Sequence, residues 1–345
     1  MTAVKASRAI RLALPSKGRL ADASLDFLAR SGLAVQKLNP RQYVAHLPAI
    51  PGLEVLFQRA GDIVVGVRQG SVDFGITGLD MVEEKRGDGD EVLILHDALG
   101  FGHCRLSVAV PEAWAHVETM ADLAAYTAQL QRPLRVATKF PRLTAAFLQR
   151  HRIPHQLIGL EGTLEIAPTL GIADVIVDLV TTGLTLRDNR LRALKDGVIL
   201  HSQAVLIANR RALQTRPEAL DVARHLLEYI EAHLRAQENY LVIANVAGQS
   251  ADDVARLVQS QPHIRGLQGP TISPVYGYDG RQWFSVSIVV ARRDLNDAIA
   301  ELRAIGGSGV IVTPVRYIFE EEPPRLQALL QALGHHKPSR PNPKE

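Results

Sequence analysis

The chain has 345 residues, of which 46% are apolar and 22% charged, with a formal net charge of +3. That length supports two or three domains with real cores, in an ordinary globular composition. Near-balanced charge does not point to nucleic acid, and an aromatic content of 5% leaves little for base-stacking platforms.

One cysteine, Cys104, excludes an internal disulfide framework and a thiolate zinc cluster. It lies in the apolar run 104–110, where a buried structural thiol is expected. No stretch approaches the ~18 apolar residues of a membrane span. The apolar run 10–14 is short and ends at Pro15-Ser16-Lys17, unlike a signal peptide. The expected location is the cytoplasm, with no membrane partner.

In chain order, Ile10–Pro15 reads as a first strand and Ser16-Lys17-Gly18-Arg19 as a polar loop before a helix that stops at Ser31-Gly32. A basic loop at the carboxyl end of a first strand lies where open α/β sheets bind ligands, so Lys17 and Arg19 are candidate phosphate contacts. Two solvated loop charges explain the same residues. Val55–Phe57 is a strand, and Asp62 is expected to cap a helix ending near Gly70. Val72–Thr77 is the next strand. Asp80, at the helix that follows, can meet a ligand hydroxyl or amine, or serve only as an N-terminal helix acid.

A second series of strand and helix units begins at Cys104. It runs through strand 104–110, a capped helix from Thr119, strand Leu134–Thr138 with Lys139 just past its end, and a helix through Arg150. The alternation argues for parallel sheets with flanking helices.

The most informative stretch is 161–189. Its apolar run 173–180 reads as a buried strand with Asp178 near the C-terminal edge. Thr181-Thr182-Gly183-Leu184-Thr185 follows, small hydroxyls around one glycine before an expected helix start. Backbone N–H groups and threonine hydroxyls at such a turn can cradle a phosphate, and the acid before it can meet a ribose hydroxyl or a magnesium ion. On this loop alone, an ordinary turn capped by threonine is the slightly better account.

Strand material returns over 194–209, and 216–237 has the register of a long amphipathic helix. Beyond it, strands at 240–246, 271–277, 283–291 and 309–319 and helices at 250–259 and 294–305 follow the split ferredoxin-like order β-α-β-β-α-β, with Tyr278-Asp279-Gly280 as a hairpin turn. A compact module of this size is expected to sense a ligand. The remainder, 326–345, is expected to be a disordered tail. No HExxH, Walker A, GxSxG or GxGxxG signature is present, and the twelve histidines show no pairing at metal-ligand spacing near acids, which disfavours nucleophilic and zinc hydrolase readings.

Several of these stretches together resemble one family. Leu14-Pro15-Ser16-Lys17-Gly18-Arg19-Leu20, Asp73-Phe74-Gly75-Ile76-Thr77-Gly78, 162–168 and 173–186 are similar to ATP phosphoribosyltransferase, the enzyme of the first step of histidine biosynthesis. Gly269-Pro270-Thr271-Ile272-Ser273-Pro274 and 304–309 resemble the histidine-binding regulatory domain of its long form.

The resemblance implies a two-lobed catalytic half related to periplasmic binding proteins, plus the C-terminal ferredoxin-like domain. Lobe I would be 1–103 with 206–235, lobe II 104–205, and the regulatory domain 236–325. It further implies ATP and phosphoribosyl pyrophosphate as substrates, magnesium dependence, inhibition by histidine and AMP, and a homo-hexamer built from dimers. Asp178, Leu179, Val180, Thr181, Thr182, Gly183, Leu184 and Thr185 would bind phosphoribosyl pyrophosphate. Asp178 and Glu165 would support the ribose and could reach a metal, largely through substrate. Lys17, Arg19, Arg59 and Asp80 would face ATP, with Arg19 counted among the catalytic residues. Asn245 and Thr271 would contact histidine. Gly61, Leu184 and Asn245 depart from residues seen in relatives, and each puts one contact in question.

Two other classes remain open at this stage. A non-catalytic solute-binding or sensor protein would use the same bilobal fold, and another phosphoribosyltransferase would use a different acceptor.

Overall fold

The computed structural model describes residues 8–37, 44–160, 163–277 and 280–334. The hairpin turn expected at Tyr278-Asp279 and the tail from His335 lie outside them. Contacts divide the chain into two units, 1–225 with 325–345, and 226–324.

The first unit opens with β1 (Ile10–Pro15), α1 (Ala21–Arg30), β2 (Val44–His46), β3 (Leu53–Gln58), α2 (Ala60–Gln69), β4 (Phe74–Gly78), α3 (Leu79–Lys85) and β5 (Val92–His96). The chain then builds a second sheet from β6 (Cys104–Pro111), α4 (Met120–Gln129), β7 (Leu134–Thr138), α5 (Pro141–Arg150), β8 (His155–Gly159), a 3-10 turn at Leu164–Ile166, β9 (Val175–Val180), α6 (Leu184–Asp188) and β10 (Leu191–Ser202). It returns to the first sheet as β11 (Ala204–Asn209) before α7 (Arg210–Thr215) and α8 (Pro217–Gln237). The strand orders are β2-β3-β1-β4-β11-β5 and β10-β6-β9-β7-β8.

Both sheets are mixed, where alternating elements suggested parallel ones. β6 runs antiparallel to β9, and β11 antiparallel to β4. The cause is the double crossing. β6 starts where β9 ends, and β11 starts where β4 ends, so each new strand must run back along its neighbour. What reads as one return segment, 194–209, is therefore two strands in two sheets.

Local chemistry explains most boundaries. Thr119 caps α4 in a full capping box with Asp122, and Gly70 closes α2 in the left-handed conformation. Asp62 does not cap α2; it lies in its first turn, and Arg59 occupies the N-cap position. Gly75 is required by a close approach. A Cβ there would stand 2.3 Å from Ile63 Cγ2. Gly75→Ala should therefore cost about 1–3 kcal/mol by overpacking, read as a lower urea midpoint.

The end of the chain departs from the expected tail. Residues Pro324–Ala332 form α11, with Leu326 and Leu329 buried at helical spacing. Arg325 Nη2 pairs with Asp97 Oδ1 at 2.6 Å, and Arg210 Nη1 donates to the Ala332 carbonyl at 3.0 Å. Disorder from 326 is corrected on these contacts.

The second unit contains β12 (Asn239–Ala247), α9 (Ala251–Gln259), β13 (Thr271–Val275), β14 (Trp283–Ala291), α10 (Leu295–Ala304) and β15 (Gly307–Pro314). The order β13-β14-β12-β15 is ferredoxin-like. The last strand ends at Pro314, short of the expected Phe319. Val242, Ala244, Val246, Val286 and Ile288 face the core, leaving the alternate positions on the open face.

In this unit His263 Nδ1 lies 2.6 Å from Glu301 Oε1, and its backbone N–H donates to Oε2 at 3.0 Å. The hydrogen bond to Glu301 raises the His263 pKa above its ordinary 6.5. A raised folded-state pKa stabilises fully below the unfolded value, and the contribution disappears as pH rises through the folded value. The urea midpoint of this unit should fall as pH rises above the ordinary imidazole range, and His263→Gln should remove that part of the fall. Trp283 fluorescence in a Trp114→Phe background would read it.

Candidate functional site

In the first sheet, β1, β3 and β4 run parallel and end together, with Pro15 beside Gln58 and Ala13 beside Gly75. The loops carrying Lys17, Arg19, Arg59 and Asp80 therefore leave from one edge. Lys17, Arg19 and Arg59 are exposed. The Arg19 guanidinium donates to the Gly102 carbonyl, on the segment that crosses to the second sheet.

Asp80 differs from the other three. It is 3% exposed, and Ser202 Oγ donates to its carboxylate at 2.5 Å while accepting the Asp80 backbone N–H at 3.0 Å. It anchors the crossing through Oδ1.

In the second sheet, Thr138 lies beside Gly159 on one side and Val177 on the other, so β7, β8 and β9 also finish at one edge. Asp178 is half-buried there. Burial raises its pKa above the ordinary carboxylate value. The Leu179 N–H, at 2.8 Å from Oδ1, and the Lys139 charge oppose that rise, and Glu165 adds to it. Glu165 sits in the 3-10 turn, held down by buried Leu164. Asp178, Glu165 and Lys139 are thus one electrostatic group.

The loop after β9 is shaped by Gly183, whose φ of +81° admits glycine readily. Thr182 Oγ1 accepts the Leu184 N–H at 3.4 Å, and Asn189 Nδ2 donates to the Thr185 carbonyl at 2.9 Å. Thr181, Thr182 and Thr185 are exposed, leaving hydroxyls for a ligand. Leu184 is exposed and carries no donor. The Leu179 and Val180 side chains pack into opposite cores, so those two residues can offer a ligand only backbone.

Both edges border the same crossing. Ser202 pairs with Cys104 in the second sheet, and Ala204 with Gly78 in the first. The Leu79 N–H donates to the Gln203 carbonyl at 2.9 Å, and the Ala204 N–H to that of Phe101 at 3.0 Å. Cys104 is buried at this junction, and burial pushes its thiol pKa up, as suits a structural thiol. A concavity of about 450 Å³ near Ile10, Ile50 and Val222 lies at the opposite end of β1 and plays no part in this arrangement.

Sequence reasoning passed over some residues here. Ser107 pairs with Asp178 across the ladder, and its fully buried hydroxyl has no hydrogen-bond partner among the described residues. Arg105 lies two positions before it on the same face. The alternation in Cys104-Arg105-Leu106-Ser107-Val108 carried that signal, two polar residues at period two in an apolar strand.

Among the described residues, no cluster of three or more His, Cys, Asp or Glu side chains could cage a metal. Asp178 and Glu165 are two hard oxygen donors, which fits a cation carried in largely by phosphate oxygens and water. Also among the described residues, no helix is long and apolar enough to cross a membrane.

In the second unit Asn245 pairs with Ser285, which pairs with Ser273, while Thr271 pairs with Ser287. Directly paired residues share a face, so Asn245 and Thr271 both lie on the open face, separated by β14.

The first unit is thus an α/β protein of two sheets joined by a double crossing. Comparison with known proteins narrows this. The HisG family model, ATP phosphoribosyltransferase, matches residues 59–232, and the HisG C-terminal domain matches residues 236–317. ATP phosphoribosyltransferase 2, chloroplastic, from Arabidopsis thaliana is 46% identical over 94% of this chain and 81% of its own length. An ATP phosphoribosyltransferase from Mesorhizobium japonicum is 45% identical over 61% of this chain and 94% of its own length. The ATP phosphoribosyl transferase (HisG:HisZ) complex from Thermotoga maritima aligns with a TM-score of 0.50 at 24% identity, over 64% of this chain and 98% of that one, a likeness of fold alone. The chain belongs to the ATP phosphoribosyltransferase family, in the long form that carries the C-terminal domain. It is a pentosyltransferase, and a solute-binding role falls away.

Proposed function

We propose that this enzyme joins N1 of the adenine of ATP to C1 of 5-phosphoribosyl 1-pyrophosphate, releasing pyrophosphate, as the first step of histidine biosynthesis. One observation carries the reading. Asp178, Glu165 and the hydroxyl loop 181–185 occupy one sheet edge, and the exposed cations Lys17, Arg19 and Arg59 occupy another beside the same crossing.

Adenine N1 has a free lone pair at neutral pH, so the attack needs no general base. The difficulty is bringing two polyanions together and letting a charged group leave. Thr182, Gly183 and Thr185 would hold the 5-phosphate, through hydroxyls and backbone N–H groups. Asp178 and Glu165 would support ribose hydroxyls as positive charge develops on the ring. Lys17, Arg19 and Arg59 would neutralise the ATP and pyrophosphate oxygens and align the reacting atoms. Magnesium bound with pyrophosphate would share that neutralisation, with Asp178 and Glu165 within reach of it.

In this reading 1–103 with 206–235 and 104–205 are the catalytic lobes, and 236–325 is the regulatory domain. Histidine would bind near Asn245 and Thr271 and bias the catalytic lobes, which requires different affinities in two states. AMP would compete at the ATP side, a homo-hexamer built from dimers would be the assembly, and the cytoplasm the compartment.

Incubation with ATP, phosphoribosyl pyrophosphate and magnesium should give phosphoribosyl-ATP by absorbance. No product with active substrates would overturn the reaction. Histidine inhibition that survives deletion of residues beyond Tyr240 would overturn the regulatory assignment.

A further inference from the structure

The hydroxyl loop lacks something its assigned ligand needs. Residues 181–185 contain no cation, and α6, which follows, has only five residues. A helix of one turn has little dipole to lend a phosphate dianion. The one cation of α6, Arg187, stands in its last turn, away from the loop, so a side chain on a neighbouring element is better placed to supply the compensating charge.

We propose that Arg105 is that side chain, binding the 5-phosphate of the phosphoribosyl donor beside the loop 181–185. The inference rests on the proposed reaction and adds a specificity residue to its donor site.

Arg105 pairs with Val180 in the antiparallel ladder between β6 and β9. Directly paired residues share a face, with Cβ atoms about 4.5–5.5 Å apart, well inside the reach of an arginine. Val180 is the last residue before Thr181. Two positions along the same ladder, Ser107 faces Asp178, so Arg105 lies on the face that carries the acid. The sugar acid and the phosphate cation thus stand in the order a ribose 5-phosphate presents them.

Arg105 is exposed, and among the described residues its guanidinium makes no ion pair or hydrogen bond. Structural arginines of this unit behave otherwise. Arg11, Arg132, Arg135, Arg210 and Arg216 each meet a carboxylate. A planar guanidinium kept unpaired beside a hydroxyl loop is matched to a phosphate, which it can take in two parallel hydrogen bonds. His201 pairs with Arg105 on the other side, on β10, and is exposed too, so no neighbouring acid competes for the charge across the ladder.

Steady-state kinetics and calorimetry on the full chain would test this with Arg105→Met, Arg105→Lys and a control, Arg187→Met on α6. Arg105→Met should raise KM for phosphoribosyl pyrophosphate about 10- to 100-fold, leaving KM for ATP within about twofold. Ribose 5-phosphate should lose affinity by a similar factor while pyrophosphate does not. Arg105→Lys should recover part of the loss, and adding Leu184→Arg to Arg105→Met should recover more.

Unchanged donor KM, a loss confined to pyrophosphate, or a larger effect from Arg187→Met would overturn the assignment. Ribose 5-phosphate binding needs no turnover. A chain inactive with ATP would therefore sink the proposed reaction, while Arg105 would still be judged by binding.

Discussion

Asp178→Asn should lower kcat/KM for phosphoribosyl transfer at least about 100-fold, or ~2.7 kcal/mol of transition-state stabilisation. A neutral amide keeps the size of the side chain but removes the charge that, in the proposed reaction, would support an oxocarbenium-like ribose. The same substitution should leave the protein as stable or slightly more so. Burial raises the Asp178 pKa, so its ionised form is held against the preference of its surroundings.

The sign follows from linkage. With a folded pKa above the unfolded value near 3.8, the native state binds the extra proton between the two, and stability falls as pH rises through that window. Asp178→Asn should flatten that part of the urea midpoint against pH. A variant that lost activity together with stability would point to a structural acid. Turnover within about tenfold of wild type would refute the catalytic role outright.

The legible and illegible parts of this chain divide along a physical line. Capping chemistry, period-two strands and left-handed glycines are local, and Thr119 and Gly70 bound their helices as the sequence implies. β2 has only three residues, too few to show a period, and β5 is a short strand that depends on β11, more than a hundred residues further along the chain. Strand direction was misjudged for the same reason, because it is set by where the chain crosses between sheets.

At the site, Asp178 and Glu165 were visible as acids beside a hydroxyl loop. Asp80 was visible too, but its burial on Ser202, 122 residues away, was not. Asp174, the other acid of the same run, is claimed by Arg132 and Arg135 at the far end of β9, with its carboxyl pKa held low. Equal residue types in one run thus acquire opposite duties from non-local partners.

Glu84→Ala should have the largest effect on the stability of the first unit. Glu84 stands on α3, is 8% exposed, and reaches across to the start of α5. Its Oε1 accepts the Arg142 N–H at 2.9 Å and its Oε2 the Leu143 N–H at 3.0 Å. The helix cannot supply this itself. Phe140 at the N-cap has no acceptor, and Pro141 has no N–H to give. One carboxylate from the first sheet's helix therefore satisfies both free donors of a helix in the second. Losing two charge-assisted bonds should cost roughly 3 kcal/mol. For a unit of this size that is a fall in Tm of about 6–12 °C.

The consequence extends to the site. Phe140 is buried and its N–H donates to Thr138 Oγ1 at 3.0 Å, so a fixed turn presents exposed Lys139 toward Asp178. If Glu84 holds that turn, its loss removes the Lys139 charge and leaves Glu165 and burial to raise the Asp178 pKa further. The acid limb of kcat/KM should then move to higher pH in Glu84→Ala, and by a similar amount in Lys139→Met. The double variant should move it no further than either alone. Additive shifts would mean that Glu84 supports only the fold, whereas a shared, saturating shift would make it the residue through which one sheet sets the electrostatics of the other.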